Sequence, residues 1–276
     1  MTAAGTTWAA GSPRAASRER WVARAMDTVF SLVIPTAAQP PGVADVVAAV
    51  VEDWHAVERR LSVFRPDSEI SRWRFGQVAD AELSPETREV IAACDELEEL
   101  TGGVFSARRA GSFDPTGYVK GWAMARTARL LDRAGIPSYC LNAGGDVIAV
   151  GHAPAGFPWR IGLAHPHRPG ELATVVTAAP GDERPVAVAT SGTAERGRHI
   201  AHPADGWRPN RSAISVVGHD IALADAIATA ALAAGRDGPE AAGALVRKLG
   251  LEAFGFDEDC RPWWTPGLPA YALLPR

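Results

Sequence analysis

The residues of this chain best suited to chemistry fall in four short stretches. Asp225 and Thr229 stand four apart within Ala-Asp-Ala-Ile-Ala-Thr-Ala. On a helix that spacing puts both side chains on one face, one turn apart. A carboxylate on an apolar helix is costly unless paired, hydrogen-bonded or metal-bound. Two oxygen donors suit a hard cation such as Mg2+. The competing reading is that Asp225 sits in the early turns and favours the helix dipole. In Asp114-Pro-Thr-Gly-Tyr-Val-Lys-Gly121, Gly117 falls just before an expected helix. Backbone N–H groups there can meet phosphate oxygens, and Lys120 supplies a point charge for the same anion. A solvated lysine is the alternative, although a cation at a helix start opposes the dipole unless an anion lies between them.

The third stretch is Asn142-Ala-Gly-Gly-Asp146. Adjacent glycines allow close backbone approach to a ligand, and they equally encode a tight hairpin turn. The spacing is not G-x-G-x-x-G, which disfavours a Rossmann nicotinamide site. The fourth is Thr190-Ser-Gly192 followed by His199-Ile-Ala-His202-Pro. His199 is a candidate acid, base or phosphate donor, or a loop histidine bonded to backbone. His165 and His167 flank Pro166, and turn chemistry accounts for them without a metal.

The elements that must hold these stretches follow from periodicity. A strand is expected over 25–35. A helix is expected on the apolar face Val43, Val46, Val47, Val50, Trp54, Val57 and Leu61. Ser84-Pro85 marks a second helix start, with Val90, Ile91, Cys94, Leu97 and Leu100 as its buried stripe. A third helix runs from about Tyr118 to Ala134 and stops at Gly135. Short strands are expected over 138–141, 147–150, 159–164, 173–177, 186–190 and 213–217. The helix over 222–234 is apolar all round and therefore internal. A last helix near 240–249 and two strands close the chain. Strands in sequence with helices inserted in groups give an α+β fold of mainly antiparallel strands, a single compact domain over 25–276. Residues 1–24, rich in Ala, Gly, Ser and Arg, are expected to form a disordered leader.

Composition narrows the function. The chain has 276 residues, 47% of them hydrophobic and 22% charged. Its net charge of −4 argues against a nucleic-acid partner. Three scattered cysteines form neither a disulfide framework nor a zinc pair. No apolar run reaches the roughly 18 residues of a membrane span, and no signal peptide or lipid-bearing early cysteine is seen, so a cytoplasmic protein is expected. Among 28 basic residues only Lys120 and Lys248 are lysine. A lysine that persists in an arginine-rich background hints at a role arginine cannot fill.

Taken in order, these stretches resemble the ApbE family of flavin transferases from about Ala25 to Gly235. The pieces that carry the likeness are Thr101-Gly-Gly-Val-Phe105, Asp114 to Gly121, Asn142 to Asp146 with Gly151, Ala189-Thr-Ser-Gly192 and Ala224 to Thr229. Phe64 and Ser68-Glu-Ile-Ser71 resemble the family's early flavin-facing segment. The resemblance implies an FAD:protein FMN transferase, which attaches the FMN half of FAD to a threonine of an acceptor protein and releases AMP. It implies that Met26, Phe64, Val104, Phe105 and Ser106 line the FAD site, and that Asp114 and Lys120 contact FAD. It implies that the Gly117 carbonyl, Asp225 and Thr229 hold Mg2+, and that His199 lies beside the flavin and pyrophosphate. His199 and Asp225 are then the candidate catalytic residues, with the Gly144 and Gly145 amides as fixed donors for developing charge. The family pattern differs at Asp27 (usually Gly), Ser106 (usually Asp), Ala125 (usually Asp) and His202 (often Asp). A Mg2+-dependent FAD pyrophosphatase and a non-catalytic FAD-binding protein are the alternatives.

Overall fold

A computed structural model describes residues 18–109, 111–193, 197 and 200–274. Strands β1 (Arg18–Ala25) and β2 (Thr28–Pro35) form a hairpin. Its turn is Met26-Asp27, both at positive φ (51° and 55°), the geometry that matches strand twist. Asp tolerates that conformation better than most side chains, which accounts for Asp27 where the family favours Gly. Residues 18–24 are thus a strand and not part of a disordered leader. Their charges mark an edge strand, while Trp21 and Ala23 pack on the core. Residues 1–17 lie outside the described residues.

Three helices follow: α1 (Val43–Leu61), α2 (Glu69–Arg74) and α3 (Pro85–Leu100). The buried stripe of α1 is Val47, Val50, Trp54, Val57 and Leu61, as its spacing predicts. On α3, Val90, Cys94 and Leu97 are buried, whereas Leu100 at the last turn is exposed. A small hairpin, β3 (Arg108–Arg109) and β4 (Ser112–Phe113), leads into α4 (Thr116–Arg133). Then come β5 (Tyr139–Ala143), β6 (Asp146–Val150), β7 (Ile161–Ala164), β8 (Leu172–Val176), β9 (Val186–Gly192) and β10 (Ala213–Gly218). Helices α5 (Ile221–Ala234) and α6 (Pro239–Lys248) precede β11 (Glu252–Phe256) and β12 (Pro262–Trp264).

Eight strands form one antiparallel sheet in the order β1-β2-β5-β6-β9-β10-β11-β12. Both faces of its centre are buried, so its strands read as continuous apolar runs. Ile148, Ala187 and Ala189 face the helical layer. Val147, Ala149, Val186 and Val188 face the separate β7–β8 hairpin. Alternate side chains of one strand therefore serve two cores. Helix α5 is wedged between the sheet and α4, and twelve of its residues are buried. Trp54 Nε1 donates to Thr127 Oγ1 (2.7 Å), fixing α1 on α4.

Glu69 fastens α2 to the start of α3. Its carboxylate accepts from the Ser84 backbone and hydroxyl and from Thr87 Oγ1 (2.6 Å). Burial raises its pKa, but the bonds from Thr87 and Ser84 and the nearby Arg60 charge outweigh it and hold the carboxyl below its ordinary value. A depressed carboxyl contributes stability that is complete above its unfolded pKa and is lost as pH falls through the folded one. Glu69→Gln is expected to cost about 1–3 kcal/mol in urea unfolding at neutral pH. The gap from wild type should narrow as pH drops below about 4.3. A gap that is constant with pH would contradict this assignment.

Candidate active site

The sequence stretches converge because α4 and α5 cross almost in backbone contact. A Cβ on Gly121 would lie 2.7 Å from the Ile221 carbonyl, 2.8 Å from Asp225 Cβ and 2.9 Å from Ala222 Cα. At this crossing the Gly121 N–H donates to Asp225 Oδ2 (2.9 Å). In an α-helix that same N–H is the partner of the Gly117 carbonyl. The Asp225 carboxylate thus competes for the amide that would otherwise occupy the carbonyl expected to bind metal. One turn along α5, Thr229 packs against Gly117, whose notional Cβ lies 3.6 Å from Thr229 Cγ2 and 3.4 Å from the Phe105 ring.

Lys120 leans over this crossing. Its ammonium lies 3.1 Å from Asp225 Oδ1 and in contact with Asp146 Oδ2. Asp146 is 1% exposed and Asp225 6%, so two buried carboxylates share one ammonium and leave a formal charge of −1. Asp146 Oδ1 accepts the Thr190 N–H (3.0 Å), which extends the β6–β9 ladder by a side chain. Its Oδ2 has no hydrogen bond among the described residues and meets only the lysine charge. Ser191 Oγ and Thr229 Oγ1 lie 3.4 Å apart at the same level. A cleft of about 590 Å³ opens above, bordered by α4, the β5–β6 turn, β7, β9 and α5.

Of the residues singled out from sequence, Phe105, Ser106, Asp114, Gly117, Lys120, Gly144, Gly145, Asp225 and Thr229 line this cleft. Met26 and Val104 do not, and instead pack half-buried on the main core. Phe64 does not line it either and is 83% exposed. His199 lies outside the described residues. Asp114 has a structural task, since its Oδ1 accepts the Thr116 N–H (3.0 Å) at the start of α4. The helix starts at Thr116 with Pro115 as its N-cap residue, so Gly117 falls inside the first turn instead of before it. Ser106 Oγ bonds Glu98 (3.1 Å) and the Arg108 carbonyl (3.0 Å).

The Gly144 and Gly145 amides do not serve as free donors. Gly144 N–H bonds the Val29 carbonyl (3.2 Å) and Gly145 N–H reaches Asn142 Oδ1 (3.4 Å). Both residues have positive φ because they form the tight β5–β6 turn, and a Cβ on Gly144 would collide with the Thr28 hydroxyl. Cys140 also lines the cleft, but burial pushes its thiol up to about 12, which leaves it un-ionised at neutral pH. His202 is buried within its own turn, where its Nδ1 accepts the Ala204 N–H (3.3 Å). Sequence reasoning passed over Asp146 and Arg160. An acid opening the apolar strand Asp-Val-Ile-Ala-Val was the available signal for Asp146; Arg160 carried none.

The described residues contain no cluster of three or more His, Cys, Asp or Glu side chains suited to a metal. A cation here would take Asp225, the Thr229 hydroxyl and the Gly117 carbonyl, and complete its shell from a ligand's oxygens. The all-oxygen donors and the residual negative charge fit Mg2+.

A sequence model of the ApbE family matches residues 26–110 and 106–254, and the chain belongs to that family. It is 29% identical over 183 residues to the FAD:protein FMN transferase of Vibrio cholerae serotype O1, a match covering 61% of this chain and 54% of that protein. It is 33% identical over 160 residues to the FAD:protein FMN transferase of Rhodobacter capsulatus, covering 54% of this chain and 29% of that protein. The match therefore spans about half the length of the first relative and under a third of the second. The fold aligns with a point mutant of the flavin transferase ApbE from Vibrio cholerae at a TM-score of 0.77 and 20% identity, covering 93% and 100% of the two chains. An ApbE protein from Thermotoga maritima aligns at 0.77 and 18% identity, covering 92% and 99%.

The α4–α5 contact yields a direct test. Alanine favours an isolated helix over glycine by about 1 kcal/mol, yet Gly121→Ala should destabilise this protein by about 1–3 kcal/mol. The atoms it would meet are backbone or close to it and cannot swing aside. Urea unfolding measures the change, and a gain in stability would refute the close crossing.

Proposed function

We propose that this chain is an FAD:protein FMN transferase, with Mg2+ as its metal and a threonine hydroxyl as acceptor. The observation that carries the reading is the meeting of Lys120, Asp225 and Thr229 on the floor of one cleft. The activities of the two curated relatives point the same way.

In this reading the FAD pyrophosphate lies over Lys120, whose ammonium turns from Asp225 toward the phosphate oxygens. Asp146 keeps the lysine tethered from below. Asp225, Thr229 and the Gly117 carbonyl hold the metal. A Mg2+ ion held there would supply charge neutralisation for the pyrophosphate and for AMP as the leaving group. The acceptor threonine oxygen attacks the FMN-side phosphorus. A new oxygen–phosphorus bond forms, the bond from that phosphorus to the bridging oxygen breaks, and the bridging oxygen leaves as part of AMP. The hydroxyl proton goes to a basic group, for which the Asp225 carboxylate of the cleft and His199, by its family resemblance, are the two candidates.

Incubation with FAD, Mg2+ and threonine-bearing acceptor peptides, read by intact mass, tests the proposal. A gain of one FMN less water on the acceptor, with AMP released, is the expected result. Free FMN plus AMP without acceptor labelling identifies a pyrophosphatase, and unchanged FAD a binding protein. Lys120→Ala should weaken FAD binding by tenfold or more, since charge-assisted bonds contribute about 1.5–3 kcal/mol, and should leave riboflavin binding near wild type. Equal losses for both ligands would assign Lys120 to the flavin ring or to structure.

A further inference from the structure

The β7–β8 hairpin stands apart from the main sheet, and its two edges differ. The outer edge of β8 is closed by the C-terminal segment. Thr177 N–H donates to the Tyr271 carbonyl (2.9 Å), Leu273 N–H to the Val175 carbonyl (3.4 Å), and Val176 bridges Ala272. These bonds show that Val175 turns its backbone groups away from β7. In an antiparallel pair, residues directly opposite turn the same way with respect to the ladder. Gly162 stands opposite Val175, so its N–H and C=O point outward from the free edge of β7. Among the described residues β8 is the sole strand partner of β7.

That open edge borders the cleft. Arg160, Ile161, Gly162, Leu163 and Ala164 all line it, together with Lys120, Asp225 and Thr229. Gly162 and Ala164 are exposed, and neither carries a side chain large enough to shield the backbone. The edges of the main sheet are guarded: β1 carries Arg18, Glu19, Arg20 and Arg24, and β12 carries Pro262. The β7 edge has no such guard, and an unprotected edge invites an added strand. At its start, Arg160 is exposed and has no ion pair or hydrogen bond among the described residues.

We propose that the acceptor's threonine segment docks as a third strand on the free edge of β7, with an acidic side chain of that segment paired to Arg160. The inference rests on the transferase reading above. Main-chain bonds to Gly162 hold the segment extended along the cleft wall, which presents the threonine hydroxyl toward the phosphorus. Recognition of this kind reads backbone first and side chains second.

The test uses the full chain with FAD, Mg2+ and a library of short peptides bearing one central threonine. Each backbone amide of the best acceptor is then N-methylated in turn. The expected result is an alternating pattern: transfer falls by about tenfold or more at every second residue, where a main-chain bond and its space are lost, and holds at those between. Arg160→Glu should shift the preferred library members from acidic to basic. Transfer without alternation, or with an unshifted charge preference, overturns the docking mode while leaving the transferase reading intact. A library in which no threonine is labelled overturns both.

Discussion

The site depends on how closely α4 and α5 approach. Gly121 permits backbone contact between the two helices, and the space it frees lets its N–H reach the Asp225 carboxylate. That bond fixes where a buried charge stands, which neither helix could do alone. Lys120 precedes Gly121, Gly117 lies one turn back, and Thr229 lies one turn beyond Asp225. Their positions follow from the one crossing. A buried carboxylate without such partners would be costly. Here α5 carries the carboxylate and α4 supplies the donors, the Gly121 N–H and the Lys120 ammonium.

The sheet contributes the opposite wall. Asp146 opens β6, and its carboxylate takes the place of a ladder acceptor for Thr190 on β9. This puts a second negative charge under Lys120 from the sheet side, so the lysine is held between two layers of the fold. The β7–β8 hairpin covers the other face of the same sheet centre and closes the cleft. The two cores share strands, so the cleft floor and the cleft wall are braced by alternate side chains of β6 and β9.

Much of this was legible in the sequence. The α1 stripe, the Ser84 cap, the wholly apolar α5 and the Asp225–Thr229 pair announce themselves through spacing and residue type. The α+β class followed from the order of elements. What spacing could not show was which polar groups are already engaged. The Gly144 and Gly145 amides read as free donors until Val29 and Asn142 are seen to hold them. Asp114 reads as a ligand contact and does line the cleft, but its Oδ1 also accepts the Thr116 N–H, which its sequence position does not reveal. Residues 18–24 looked like a leader because edge strands carry charge for protection, and composition alone does not separate that from disorder. Asp146 was hidden in a turn motif, because its partner is 44 residues away in sequence. Long-range pairing of this kind is a property of topology, which local patterns do not encode.

In the proposed mechanism the Asp225 charge serves the metal, while its hydrogen bond to Gly121 serves the fold. Asp225→Asn separates the two, because the amide oxygen can still accept the Gly121 N–H but brings no charge. The most direct measurement is FMN transfer against Mg2+ concentration in this variant, with urea unfolding of the same sample. The expected result is a folded protein of near wild-type stability whose metal-dependent transfer is abolished. Transfer at the wild-type rate with unchanged Mg2+ dependence would contradict it.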